Sequence, residues 1–320
     1  MSRKWMSICL TALSALAMHF TFAATAYLWI SNSIIPALPA IAVGLFVWLI
    51  QGRWCKRRLG ISASAPTFVY VNIWFLWAIY IFLLRMDVGP VMGVAFNTQC
   101  LLLSIGLWRM LCSDPGYVRN ENISLESMDH TTLTVTGNDK SNFMGHFIGT
   151  GANFQNNFDC RLHVRTRLCK KCQAYVNRFD HHCPAFGNCV GQLNHRLFIL
   201  LLIAFVSSEI CYFLCAISWF SSVKNLLERQ TQASHLVPWI ISSSLFAIIQ
   251  VFWQVPFFFW HLYCICLNIT TDEWVNWEKY PEFQVETPPE PGRPFPGRKF
   301  KNPYNKGIVQ NMVAFLKSKA

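Results

Sequence analysis

The chain has 320 residues, of which 53% are hydrophobic, 15% aromatic and only 13% charged, and its formal net charge is +11. This balance is too apolar for an ordinary soluble domain and reads as a polytopic membrane protein. The positive charge comes with no basic helix interleaved with aromatics, so nucleic acid is excluded as an expected partner and membrane lipid is favoured. Thirteen cysteines are spread through apolar stretches or gathered in one Cys/His cluster, a usage that favours metal binding or catalysis in a reducing compartment over disulfides.

Six apolar spans are predicted, at about 6–30, 34–50, 67–84, 90–112, 197–220 and 237–269, each near or above the ~17–20 residues that cross a bilayer core. The second is the shortest and contains Pro36 and Pro39, so a re-entrant path is its alternative. The first follows Arg3 and Lys4 and ends in Ala23-Ala24-Thr25-Ala26, the pattern of a secretory signal, but its length and the closely following second span favour a retained helix. With the N-terminus in the cytosol, 24 of the 27 Lys and Arg residues fall on the cytosolic side, leaving Arg85, Lys224 and Arg229 opposite, as the positive-inside rule demands. The expected fold is therefore an all-α membrane protein of about six helices. Four helices lie within 1–112, a cytosolic loop and Cys-rich domain within 113–196, two helices within 197–269, and a cytosolic tail within 270–320.

Span four ends at Asp114-Pro115-Gly116, a helix-stopping turn, and the polar stretch 117–158 is expected to be a flexible loop. The cluster follows: Cys169-Lys170-Lys171-Cys172, then Asp180-His181-His182-Cys183, then Cys189. A Cys-x2-Cys turn presents two thiolates, and a downstream His and Cys close a tetrahedron around Zn²⁺. One cluster member is then spare, and Asp180, His181 and Cys183 contain the parts of an activated sulfur nucleophile. Spacing leaves open which of His181, His182 and Cys183 is free, and it leaves a purely structural zinc site standing beside a zinc site with a reactive cysteine.

Span five holds Glu209 near its middle, expected as a protonated Glu hydrogen-bonded to a neighbouring helix, with a polar contact to a Ser, a Trp or His261 inside the bundle as the alternative. Span six contains Pro256, read as a kink, and runs out at Thr270-Thr271-Asp272-Glu273, read as a helix end. The stretch Glu286–Pro303 is rich in Pro and basic residues and is expected to be irregular. Beyond it, Ile308, Val309, Met312, Val313, Phe315 and Leu316 recur at helical spacing, which predicts an amphipathic helix on the membrane or on the bundle. The sequons at Asn122 and Asn268 fall on the cytosolic side and are expected to carry no glycan.

Asp180-His181-His182-Cys183-Pro184, then Asn188-Cys189-Val190-Gly191, Asn194 and Phe198 resemble the core of the DHHC family of zinc-containing protein S-acyltransferases (palmitoyltransferases). The resemblance implies a multi-pass endomembrane enzyme of the Golgi or endoplasmic reticulum. Such an enzyme moves a palmitoyl group from acyl-CoA, its co-substrate, to cysteines near the membrane on cytosolic or membrane proteins. It implies Cys183 as nucleophile, His181 as base, Asp180 as the residue that orients it, and Zn²⁺ on Cys169, Cys172, His182 and Cys189. Asp114, Pro115 and Gly116 match a motif beyond the preceding helix. Thr270, Thr271 and Glu273 match a second motif, implied to brace the zinc domain against the helices, and Tyr304 and Asn311 match a C-terminal element. Two departures stand out. The positions of a second family zinc site correspond to Gln155, Phe158, Leu168 and Tyr175, so one zinc is expected rather than two. Ala185 and Phe186 stand where the family usually has Trp after Cys-Pro. The acyl chain is expected in a cavity among the helices, with Trp74, Trp77 and Trp253 as candidate walls. A catalytically weak or inactive scaffold whose zinc domain binds partners is the alternative, and a transporter is a more distant one.

Overall fold

The computed structural model describes residues 3–32, 64–118, 165–224, 236–287 and 297–318. Its long helices are α1 (Arg3–Asn32), α2 (Ala65–Ile79, continued by a π turn over Tyr80–Leu84 and a 3-10 turn over Arg85–Asp87), α3 (Pro90–Cys112), α4 (His195–Lys224) and α5 (Val237–Cys266). Pro66, Pro90 and Pro238 sit in the first turns of α2, α3 and α5, where the missing N–H has no intrahelical partner and the fixed φ suits the helix. These five helices are long and apolar enough to cross a membrane. The expected span at 34–50 lies outside the described residues. So do Asn122, Gln155 and Phe158.

α4 packs against α3 and α5, and α1 packs against α2 and α5. Buried hydrogen bonds join the helices: His19 Nε2 to Asn72 Oδ1 (2.7 Å) for α1–α2, Tyr212 to Ser243 (2.6 Å) and Gln254 Nε2 to Glu209 Oε1 (3.0 Å) for α4–α5. In a setting where apolar contact alone does not select a partner, such pairs fix helix register. Glu209 thus hydrogen-bonds the neighbouring helix, as expected, and does so through Gln254 in place of the alternative Ser, Trp or His261. α5 runs unbroken through Pro256.

Between α3 and α4 lie two small antiparallel hairpins, β1 (Thr166–Cys169) with β2 (Ala174–Asn177) and β3 (His181–Cys183) with β4 (Asn188–Val190). Two readings of the C-terminal part need correction. Thr270 does not end a helix; it opens α6 (Thr271–Val275) as the N-cap of a capping box with Glu273, each side chain satisfying the other's orphan N–H. The stretch expected to be irregular contains a hairpin, β5 (Gln284–Thr287) with β6 (Gly297–Phe300). The physical reason is Phe300, which stacks on buried Phe283 at 6.0 Å and 3°. α7 (Ile308–Lys317) exposes Ile308, Val309, Met312, Val313 and Leu316, with Asn311 alone fully buried.

Candidate active site

The β1–β2 turn carries Cys169 and Cys172, and the β3–β4 register sets His182 directly opposite Cys189. His182 Nδ1 lies 3.8, 3.3 and 3.6 Å from the sulfurs of Cys169, Cys172 and Cys189, and the Cys172 and Cys189 sulfurs are 3.5 Å apart. Tetrahedral Zn²⁺ with bonds of about 2.3 Å to sulfur and about 2.0 Å to nitrogen sets its ligand atoms about 3.5–3.8 Å apart, so these four residues fit it. The electrostatics agree. Burial pushes the Cys189 thiol up, and so do the two neighbouring sulfurs; three thiols this close ionise together only around a cation. Burial also lowers the His182 imidazole, helped by Lys171, which keeps it neutral as a ligand must be.

Asp180 immediately precedes the same hairpin, and His181 and Cys183 flank His182 along β3. Asp180 is fully buried; its Oδ2 accepts from His181 Nδ1 (2.6 Å) and its Oδ1 from the Thr271 N–H (2.8 Å). Burial opposes its charge, but the His181 hydrogen bond and the field of three histidines hold it well below the usual carboxylate range. His181 in turn is raised to about 9 against the cost of burial, chiefly by Asp180 and also by Cys183. The Cys183 contact is loose, since His181 Nε2 makes no hydrogen bond of good geometry, as is common in a resting site.

Cys183 and His181 open onto a cavity of about 540 Å³ that runs between α2, α3, α4 and α5 and is lined almost wholly by apolar groups. Ala185 lines it where a bulkier side chain would stand, and Phe186 is buried beside it, edge-on to Phe198 at 5.8 Å. Trp253 lines this cavity; Trp74 and Trp77 do not, their indoles donating instead to Ser104 and Asn97.

Residues 149–278 match the family model described as DHHC palmitoyltransferase. This stretch is similar to the DHHC palmitoyltransferase family. Over 268 residues the chain is 28% identical to palmitoyltransferase ZDHHC17 of Mus musculus, covering 81% of this chain and 38% of that protein. Over 193 residues it is 31% identical to palmitoyltransferase AKR1 of Yarrowia lipolytica, covering 60% and 25%. A probable protein S-acyltransferase 7 of Arabidopsis thaliana is 29% identical over 158 residues, 48% of this chain and 31% of that protein. The chain thus spans about two-fifths of the length of the ZDHHC17 relatives.

The satellite motifs converge on the DHHC hairpin. Asp114 Oδ1 accepts from the N–H groups of Gly116 and Tyr117 (2.7 and 2.8 Å), and the Gly116 carbonyl accepts from Asn177. Gly116 sits at φ +102°, where a side chain would be strained. Gly191 lies so close to the Pro115 carbonyl that a Cβ would come within 2.4 Å. Asn188 donates to the Met110 and Ser113 carbonyls, and Asn194 to Ser113 Oγ and the Cys189 carbonyl. Glu273 forms a buried, bidentate pair with Arg165, and Asn311 donates to the Cys266 carbonyl at the end of α5 (2.8 Å).

Three participants were not singled out for this site from the sequence. Arg165 reaches Glu273 across 108 positions, too far for spacing to pair them. Phe198 packs edge-on against His181 at 5.3 Å; it belongs to the motif, but nothing in the sequence told its role from that of any apolar helix residue. His261 is buried with its Nδ1 3.7 Å from Asp180 Oδ2; its one visible signal was a histidine inside an apolar span. The sequon at Asn268 is blocked by contact as well as by expected topology, because its side chain binds Arg165, Arg178 and the Tyr304 carbonyl.

Proposed function

We propose that this chain is a protein S-acyltransferase that moves a long acyl group from acyl-CoA to protein cysteines through an acyl-enzyme on Cys183. The observation that carries this reading is the Asp180–His181 pair beside Cys183 at the mouth of the apolar cavity. His181 takes the Cys183 proton, Asp180 stabilises the imidazolium, and the thiolate attacks the thioester carbonyl. The carbon–sulfur bond to coenzyme A breaks, and His181 returns the proton to the departing thiolate. In the second half an incoming protein cysteine gives its proton to His181 and attacks the acyl-enzyme, freeing Cys183. One thioester replaces another at each step, so the exchange is balanced. The cavity keeps the acyl tail from water, where each methylene contributes about 0.8 kcal/mol.

In this reading one structural Zn²⁺ is held by Cys169, Cys172, His182 and Cys189. With four protein ligands it has no open position and stiffens the loop that bears His181 and Cys183. A second ion is not expected, because Leu168 and Tyr175 face each other across the β1–β2 hairpin with no metal-ligating side chain at either position. The DHHC hairpins and both termini lie in the cytosol of an endomembrane compartment, Golgi or endoplasmic reticulum. The apolar side of α7 rests on the membrane surface, and the substrates are cytosolic or membrane proteins with cysteines near the bilayer.

The test is incubation of the detergent-purified chain with a clickable palmitoyl-CoA while zinc per chain is counted. A hydroxylamine-labile adduct that disappears in Cys183→Ala, with about one zinc retained, is expected. A folded, zinc-loaded wild type that forms no adduct would sink the enzyme reading and favour the scaffold.

A further inference from the structure

Among the described residues, the side chains that line the cavity include three with buried polar atoms lacking a hydrogen-bond partner. His181 Nε2 is one, and the chemistry proposed above uses it. The other two atoms are Glu209 Oε2 and Gln254 Oε1. Neighbouring polar groups on the same wall are satisfied: Asn72 binds His19 and the Phe68 carbonyl, and the Ser208 hydroxyl donates to the Phe205 carbonyl. Glu209 and Gln254 are 6% and 5% exposed and bind each other through one pair of atoms only. Two buried oxygens thus remain unpaired on side chains that line an otherwise apolar cavity, an arrangement that is costly unless something donates to them.

Their depth matters. Phe198 and His261 pack around His181, and Glu209 follows Phe198 by eleven residues on α4 while Gln254 precedes His261 by seven on α5. At 1.5 Å per residue the oxygens lie about 10–16 Å from the reactive end. Half of a ~30 Å bilayer core, the depth that one leaflet's acyl chains fill, is about 15 Å. A chain of that length attached to Cys183 therefore passes or ends at this pair.

We propose that Glu209 and Gln254 form a polar subsite that accepts a hydroxyl carried on the distal half of the acyl chain, so that oxygenated long-chain acyl-CoAs are donors. The inference rests on the acyl-transfer reading. A hydroxyl donates to either free oxygen whatever the protonation of Glu209, whereas a plain methylene leaves both unmet. Discrimination of this kind is strong where a site is built to bond a substrate hydroxyl.

The experiment is a competition on the purified full chain between palmitoyl-CoA and its ω-hydroxylated counterpart, with the adducts separated by mass. The wild type is expected to take the hydroxylated donor at least as readily as the plain one. In Glu209→Leu with Gln254→Leu the ratio of hydroxylated to plain adduct falls about tenfold, while a donor hydroxylated at the α carbon, beside the thioester, shows no change. Glu209→Gln, which still donates and accepts, keeps the wild-type ratio. If the double variant does not fold, Gln254→Met supplies the apolar contrast. An unchanged ratio in the apolar variants overturns the subsite while leaving acyl transfer standing. A wild type that forms no adduct with either donor overturns acyl transfer instead. In that event displacement of a fluorescent fatty acid by ω-hydroxypalmitate and by palmitate decides the subsite, equal potency overturning it.

Discussion

Around Asp180 hydrogen bonds tie separate segments of the chain together, with His181 Nε2, His195 Nε2 and both ring nitrogens of His261 left without a hydrogen-bond partner among the described residues, whereas along the cavity wall most contacts are between interchangeable apolar groups. Asp180 alone takes two side-chain contacts and two backbone bonds, and its neighbours Arg165, Asn188, Asn194, Thr270 and Glu273 are tied across three separate segments. The wall is instead Val69, Ile73, Leu202, Phe205 and similar side chains. A hydrogen-bonded network fails when one partner is lost, because the other is left buried and unpaired. An apolar wall absorbs changes that preserve volume.

The difference can be tested by substitution. Cys169→Ser should have the largest effect, releasing the metal and unfolding both DHHC hairpins, so that zinc content and acyl-adduct yield vanish together; retention of either would break the link between ion and loop. Asp180→Asn should lower acyl-adduct formation by about 10²–10⁴-fold and bring the His181 titration down from about 9 toward an ordinary histidine value, read by NMR of labelled imidazole. The sign follows from the raised folded-state value. The Asp180–His181 contact contributes its full stability below about pH 6.5 and loses it as pH rises through about 9. Arg165→Met leaves Glu273 buried at 1% exposure without its partner and should cost about 3–5 kcal/mol in thermal unfolding. Leu202→Met on the cavity wall should cost less than about 1.5 kcal/mol and leave zinc content unchanged.

The same contrast explains what could be read from the chain. Cys169, Cys172, His182 and Cys189 were legible because metal ligands must be particular residue types at tight local spacing. Asp114-Pro115-Gly116 and Asn311 were visible as motifs, although the bonds they make join residues as far apart as Pro115 and Leu193. The cavity was not legible: period and hydropathy reveal a membrane helix but not which of its faces leaves space, and so Trp74 and Trp77 were as plausible as Trp253. Arg165 and Glu273 lie on opposite sides of two long helices, and no local pattern pairs them. The β5–β6 hairpin was hidden because the prolines of this stretch argue against regular structure, while the Phe283–Phe300 stack that supports the strands joins residues seventeen positions apart.

The central claim is that Cys183 carries an acyl chain whose tail fills the cavity between α2, α3, α4 and α5. Its most direct test is to load the purified chain with a palmitoyl-CoA bearing a photoreactive diazirine in its distal half, then map the crosslinked peptides. The account predicts crosslinks to cavity residues such as Phe205, Phe246 and Gln254, lost in Cys183→Ala. Crosslinks confined to outward-facing residues such as Leu101 and Phe252, which are 51% and 82% exposed, would contradict it.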